Sequence, residues 1–445
     1  MSGLTERVAA WAASVDAVPP DVAAHIRRLL LDHLGGVVAA SAFPVPRLVA
    51  EYAAVAHPGT EATAVGFGPR SAEGAALVNG TAAHSLEVDD GYTPGSVHPS
   101  AVAFPAVLAA AQRTGASAER MLAGAAVGLE LTCRLAAAGH PATWRNGYHN
   151  TPIAGVMGAA AGAAVVLGAD AAQVEQALGV AASHAGGLFA FLGQDAEVKR
   201  LHAGKAARDG LAAAELALRG LTGPRAVLEG PHGYFEVLAR GEYDADTVRT
   251  GLGTDWALRR TYVKPYPCCR HLHGPIDAAL ELRTALDPAT VTSIGVGTYT
   301  VAARHDAVEV DGFLGAQMSI PHAVAVALLR GEVGLAEFGE PARTSPEVRA
   351  LAGRVRVYED PEAVAAYPKE RPAVLTIERD GGAPLRTRVG QPYGEPDNPV
   401  SDQALEAKFR RLCAPVLGDA GVDRTVAAVR DLADLSFLRD LGGAA

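Results

Sequence analysis

Val291-Thr292-Ser293-Ile294-Gly295-Val296-Gly297-Thr298-Tyr299-Thr300-Val301 is where the chain changes character. Ile294, Val296 and Thr298 alternate with Gly295, Gly297 and Tyr299, the period of two that a strand requires. Upstream of residue 250 such alternation is nearly absent. Val22, Ile26, Leu29, Leu30, Leu34, Val37 and Val38 recur at helical spacing after Pro19-Pro20-Asp21. Helical readings continue over residues 45–56, 72–86, 99–114, 118–138, 153–167, 171–184 and 205–219, each punctuated by Gly, Pro or Asp. Around the opening stretch, residues 256–262, 355–358 and 373–378 also read as β-rich, and Asp380-Gly381-Gly382 turns the chain into a strand over 385–389. Helices over 274–286 and 321–329 interrupt them. A Pro/Gly/Asp-rich linker at 391–399 leads to two last helices, 401–417 and 423–440. The sequence therefore predicts a mainly α fold. A large all-α domain is built from both chain ends, residues 1–255 and 393–445, with a smaller α+β lid domain, residues 256–392, inserted between them. The joint of the two is expected to be a cleft.

The totals agree. A chain of 445 residues is too long for one ordinary core. Hydrophobic residues at 49% and charged residues at 20% describe a soluble globular protein. Aromatics make up only 5% against 49 glycines, which predicts close helix–helix contacts rather than large aromatic cores. A net charge of −10 argues against a nucleic-acid partner, which needs a basic face. Cys133, Cys268, Cys269 and Cys413 form no paired framework, so a reducing, cytoplasmic location is expected. No basic segment followed by an apolar one marks a signal peptide. Residues 150–168 carry no charge but are mostly Ala and Gly, which reads as a buried core helix and not as a membrane partner.

Five polar segments interrupt this bland background. The first, residues 84–100, holds His84, Glu87, Asp89, Asp90, Tyr92 and His98 between apolar helices. Helix capping by an aspartate or by Ser96 or Ser100 explains one or two of them, not all. The second puts His149 just before the Ala/Gly helix, where a helix N-terminus lowers an imidazole pKa and favours a carboxylate. Capping by Asn150 or Thr151 is the plainer alternative. The third, Asp195 to Lys205, sets Lys199, Arg200 and His202 ahead of a helix beside strongly apolar residues. The fourth, residues 263–277, carries Lys264, Cys268, Cys269, Arg270, His271 and His273; the fifth puts His322 in a first helical turn. Neither His84, Asp89, Asp90 and His98 nor the Cys/His run has the spacing of a metal motif, so no metal is expected. No Gly-x-Gly-x-x-Gly follows a strand and no phosphate loop exists, so no nucleotide cofactor is expected.

Taken in order, Asn79-Gly80-Thr81-Ala82-Ala83-His84-Ser85-Leu86, His98-Pro99-Ser100, Gly147-Tyr148-His149, Lys199-Arg200-Leu201-His202-Ala203-Gly204, Leu221-Thr222-Gly223-Pro224 and Lys264-Pro265-Tyr266-Pro267-Cys268 resemble the MmgE/PrpD family of 2-methylcitrate dehydratases, cis-aconitate decarboxylases and iminodisuccinate epimerases. The likeness runs from Leu29 to Lys408-Phe409. It implies a homodimer without metal or organic cofactor, acting on a small carboxylic acid by proton movement beside a carboxylate. It places His98, His149, Lys199, Lys264 and His273 in or near the site. With His322, the catalytic set expected is His98, His149, Lys199, Lys264 and His322. The substrate-binding set is Asp89, Tyr92, Lys199, Arg200, Lys264, Arg270 and His273. Lysines suit carboxylates, and histidines trade protons near neutral pH. Three departures bear on the substrate. Glu87 stands where the family often has Asp, Gly91 where Asp-Asp-Thr ends, and His322 where a Tyr is common. The leading expectation is a lyase dehydrating a hydroxy-polycarboxylic acid. Epimerisation of a dicarboxylate, decarboxylation of a cis-aconitate-like acid and mere carboxylate binding are the alternatives.

Overall fold

The computed structural model describes residues 3–191 and 196–443 and is mainly helical. It divides into two compact units. One comprises Met1–Ser85, Asp89–Val263 and Ser401–Ala445; the other comprises Leu86–Val88 and Lys264–Val400.

The first unit is built on α1 (Leu4–Ala13), α2 (Pro20–Ala40), α3 (Pro44–Ala56), α4 (Ala72–Ala83), α5 (Ser100–Thr114), α6 (Ala118–Gly139), α7 (Asn150–Val166), α8 (Ala171–Ala182) and α9 (Val198–Leu218). Their starts follow the chemistry of helix N-termini. Pro20 opens α2, and Ser71, Ser117 and Asp170 accept hydrogen bonds from the third residue of α4, α6 and α8. The glycines let backbones meet. A methyl group added at Gly162 would stand 2.6 Å from the Gly124 carbonyl oxygen, and one at Gly124 2.7 Å from that of Gly162. That seam joins α6 to α7 and explains the uncharged Ala/Gly run as a packing surface. α6 is long and apolar enough to cross a membrane, but 94% of its most apolar window is buried within the protein. Lys408, in the C-terminal helix α10 (Asp402–Asp431), reaches Asp32 of α2 at 2.5 Å in a buried ion pair, so the two chain ends share one core.

Three local expectations are corrected. Residues 256–262 form no strand: Ala257–Arg260 is a 3₁₀ turn. The buried Glu130 accepts the amides of Ala257 and Leu258 at 3.0 and 2.9 Å, and Arg134 donates to the carbonyls of Thr247 and Thr250 at 3.1 and 2.6 Å. This strap fastens the segment to α6, and the chain as far as Val263 packs with the helical unit. α9 starts at Val198, so Lys199, Arg200 and His202 lie on the helix and not ahead of it. The last two helices do part as expected, at the non-helical Gly418 (φ 65°), but the second ends at Asp431 and not at 440, and the short Phe437–Asp440 follows. A two-stranded hairpin, β1 (Ala62–Ala64) with β2 (Gly68–Arg70), is too short to show as alternation.

The second unit is a four-stranded sheet of β3 (Val291–Thr298), β4 (Val355–Glu359), β5 (Ala373–Arg379) and β6 (Leu385–Val389), in the order β4-β3-β5-β6. β3 pairs in parallel with β4 and antiparallel with β5, and β5 makes the expected hairpin with β6. Two helices, His273–Arg283 and Ile320–Arg330, share its core: Ile276, Ala279, Val324 and Leu328 cluster with Ile294, Val296, Leu375 and Ile377. Gln317 Nε2 donates to the carbonyls of Leu86 and Pro267 at 2.8 and 2.6 Å, which ties the Leu86–Val88 segment to this unit.

Candidate active site

Gly80 on α4 and Gly204 on α9 fix where two histidines stand. A methyl group at Gly80 would lie 2.7 Å from the Gly204 Cα, so only paired glycines allow this crossing. His84 caps the C-terminus of α4 one turn beyond Gly80, and His202 lies half a turn before Gly204. From the next segments come His98, just ahead of α5, and His149, at the N-cap of α7. Asn150 and Thr151 do more than begin that helix. Asn150 Nδ2 donates to the Gly95 carbonyl at 2.7 Å, and Thr151 Oγ1 accepts from the His98 amide at 3.2 Å. α7 thereby holds the loop that carries His98.

Two of the four imidazoles flank one carboxylate, and the other two pack behind them. His84 Nδ1 lies 2.7 Å and His98 Nδ1 3.4 Å from Asp89 Oδ2. His98 Nδ1 also donates to the Asp90 carbonyl at 2.7 Å, which fixes the orientation of the ring. His149 and His202 meet through their Nδ1 atoms at 3.1 Å, so one donates and the other accepts. The His84 ring stacks on His149 at 5.6 Å between centroids, and Phe189 and Phe191 close against His149 at 5.2 and 5.6 Å. The His98 side chain is 17% exposed while that of His84 is fully covered, which makes His98 the accessible member of this pair.

Burial sets the charge of the cluster. It holds His149 well below the ordinary imidazole range, and the neighbouring His84, His202 and His98 act the same way. Burial followed by His84, Lys205 and Lys199 brings His202 down to about 4. Both rings are therefore neutral near pH 7 and able to accept a proton. Burial also pushes Asp90 up to about 8, against the opposing bonds from the Ser100 amide and hydroxyl.

The structure gathers His98, His149 and Asp89. It adds His84 and His202, which spacing alone does not assign to a site; His202 betrays itself only by lying one turn beyond Lys199 on α9. Lys199 is buried on that helix, and its charge is felt at His202. Arg200 pairs with Glu197 at the helix start, and Asp195 lies outside the described residues. The Tyr92 hydroxyl faces Arg260. The space that a side chain at Gly91 would take is filled by the phenol of Tyr262, whose main chain bridges to Gly91.

In the second unit Lys264 is almost fully buried, with Nζ 3.2 Å from Glu87 Oε2. The longer acid at position 87 thus already counters the lysine expected to hold substrate. Arg270 is paired with Glu395 at 2.7 Å, and His273 is buried with Nε2 3.4 Å from the Cys268 carbonyl. His322 donates through Nε2 to the Glu337 carbonyl at 2.8 Å and packs against Phe338, the surroundings of a histidine that ties two segments together.

A mainly helical chain that packs two neutral imidazoles, His149 and His202, beside a histidine pair flanking a carboxylate has the equipment for proton transfer. Comparison with known proteins gives the family. Residues 6–246 match the MmgE/PrpD N-terminal domain and residues 266–434 the MmgE/PrpD C-terminal domain, and the chain belongs to the MmgE/PrpD family. It is 28% identical to a cis-aconitate decarboxylase-like protein, oryM, of Aspergillus oryzae, over 95% of this chain and 93% of that one. It is 26% identical to a cis-aconitate decarboxylase of Aspergillus terreus (99% and 96%) and 28% identical to that of Homo sapiens (92% and 87%). Members of this family are enzymes.

Proposed function

We propose that this protein is a cofactor-independent lyase that moves a proton at a carbon beside a carboxylate of a small di- or tricarboxylic acid. The observation that carries the reading is the cluster in which His84 and His98 flank Asp89 while His149 packs on His84 and meets His202. Neutral imidazoles are bases until an anion arrives. A bound polycarboxylate raises the pKa of the rings beside it, so the substrate itself favours loading a proton onto the cluster. His149 and His98 are the groups that give or take it, and Lys199 steadies the carboxylate next to them. Carboxylate binding by Lys264 and His273 is a role that family resemblance implies, as is the homodimer, and for Arg270 it rests on the charge of the side chain.

Loss of carbon dioxide from a cis-aconitate-like acid is now the first reading, ahead of dehydration, because each relative named above is called a cis-aconitate decarboxylase or decarboxylase-like. The carbon–carbon bond electrons stay with the chain, spread into the neighbouring unsaturated acid, and an imidazolium delivers the proton that ends the step. Incubation with cis-aconitate and, separately, with 2-methylcitrate tests this. Release of carbon dioxide from the first with no unsaturated product from the second is expected. Alkene formation from the hydroxy acid without gas would restore dehydration, and turnover of neither would remove this substrate class.

A further inference from the structure

The second unit holds a thiol that the proposed reaction does not use. Cys269 stands at the N-cap of the 3₁₀ turn Arg270–Leu272, partly exposed, whereas Cys133, Cys268 and Cys413 are buried. Its Sγ lies 3.8 Å from His305 Nε2. The His305 ring is oriented from its other side: Nδ1 donates to the Met318 carbonyl at 2.9 Å. Only Nε2 is left to take a proton, and it faces the sulfur. The Ile320 amide donates to the His305 carbonyl at 2.9 Å, and the Cys269 amide donates to that of Gln317 at 2.9 Å, so both backbones are pinned.

The geometry points to Cys269 and His305 as a thiolate–imidazolium pair, a nucleophilic modification site for soft electrophilic carbon. A thiol that hands its proton to an oriented imidazole is the arrangement that activates sulfur. The surrounding groups agree. Burial opposes ionisation of the thiol, but the charge and hydrogen bond of His305, the His271 amide and the charge of Lys264 outweigh it and lower its pKa. Burial likewise opposes a charged His305, and Cys269, the Met318 carbonyl and Asp306 together raise it. Cys268, Tyr299 and Arg270 complete the groups near the sulfur. Cys133 and Cys413, like Cys268, have thiols pushed up by burial.

His271 also comes within reach: its donor atom, the Cys269 sulfur and that of His305 all lie within 4.8 Å of one another. One feature favours a shared proton over a metal ion there: the positive charges of Arg371 and Arg270 bear on the His271 ring and oppose a bound cation.

Iodoacetamide is a direct probe. The thiolate sulfur bonds to its methylene carbon, iodide leaves with the bonding pair, and the proton stays on His305; nothing is oxidised or reduced. The rate of labelling at each cysteine is read by peptide mass mapping between pH 5 and 10. Cys269 is expected to react first, with a midpoint below the roughly 8.5 of a free thiol. His305→Gln should move that midpoint upward and slow labelling at pH 7 by on the order of tenfold. Should that variant fail to fold, the wild-type profile decides alone. Labelling of Cys269 no faster than glutathione at pH 7, or a profile unchanged in His305→Gln, overturns the pair. Labelling that begins only after a chelator strips a stoichiometric metal overturns it in favour of an ion site.

Discussion

Replacing His149 by glutamine tests both what the ring does and how it is held. The amide preserves a polar partner for His202 Nδ1, which stands 3.1 Å away, but cannot carry a proton to carbon. A positioned acid–base group contributes roughly 10²–10⁴ in rate, so kcat for the acid turned over should fall by about that factor. At about 1.36 kcal/mol per tenfold, this is a transition-state loss of about 3–5 kcal/mol. The fold should change much less, by no more than about 2 kcal/mol at pH 8, where the imidazole is neutral in the folded and unfolded chain alike. Acid separates the two proteins again. The folded pKa of His149 is depressed by burial, so below about pH 6.5 the unfolded chain binds a proton that the folded chain refuses. Stability is therefore full above that pH and falls as pH drops, by up to about 1.36 kcal/mol per unit for each such ring. His202 and His33, lowered to about 4 and about 3, steepen the same limb. The variant should lose stability less steeply by one histidine's share. Denaturant unfolding from pH 5 to 8, with turnover measured on the same samples, reads both quantities. Activity within threefold of wild type, or an unchanged acid slope, would refute the reasoning.

Other perturbations probe the surroundings. Asp89→Asn should reduce turnover while leaving binding of the acid largely intact, since Asp89 orients His84 and His98; a rise in KM with unchanged kcat would show that it binds substrate instead. Glu87→Gln leaves the Lys264 ammonium buried without its matching acid, for a loss on the order of 3 kcal/mol in denaturant unfolding. Adding Lys264→Met should recover most of it, and equal losses in the single and double variants would contradict the pairing. Gly204→Ala drives a methyl group into the Leu77 carbonyl and the Thr81 hydroxyl and should cost about 1–3 kcal/mol with a lower kcat. Gly315→Ala, with nothing within 4 Å, should be close to neutral by the same measurement.

The helices and the strands over 291–298, 355–358, 373–378 and 385–389 were legible because their apolar periods are long or clean, while residues 300–301 of the first β-rich stretch belong to the short helix Thr300–Ala303. What escaped was decided by contacts distant in sequence. Residues 256–262 have the composition of a strand, but Glu130 and Arg134 take their main chain first. The start of α9 was obscured by Lys199, Arg200 and His202, a charge run that reads as a loop until α4 is packed against it through Gly80 and Gly204. Within the candidate site, His98 and His149 stood out by their positions before helices. His84 and His202 did not, because what marks them is the geometry of one carboxylate and one facing ring. The pairing of Lys264 with Glu87 spans 177 residues, a separation at which no local pattern speaks.

The most direct test of proton transfer by the imidazole cluster is turnover of cis-aconitate in deuterated water, with the product examined by mass spectrometry and NMR. The account predicts one deuterium in the wild-type product, at the carbon beside a remaining carboxylate to which the bond electrons move, and loss of both product and label in His149→Gln. Deuterated product formed at an undiminished rate by His149→Gln would contradict it.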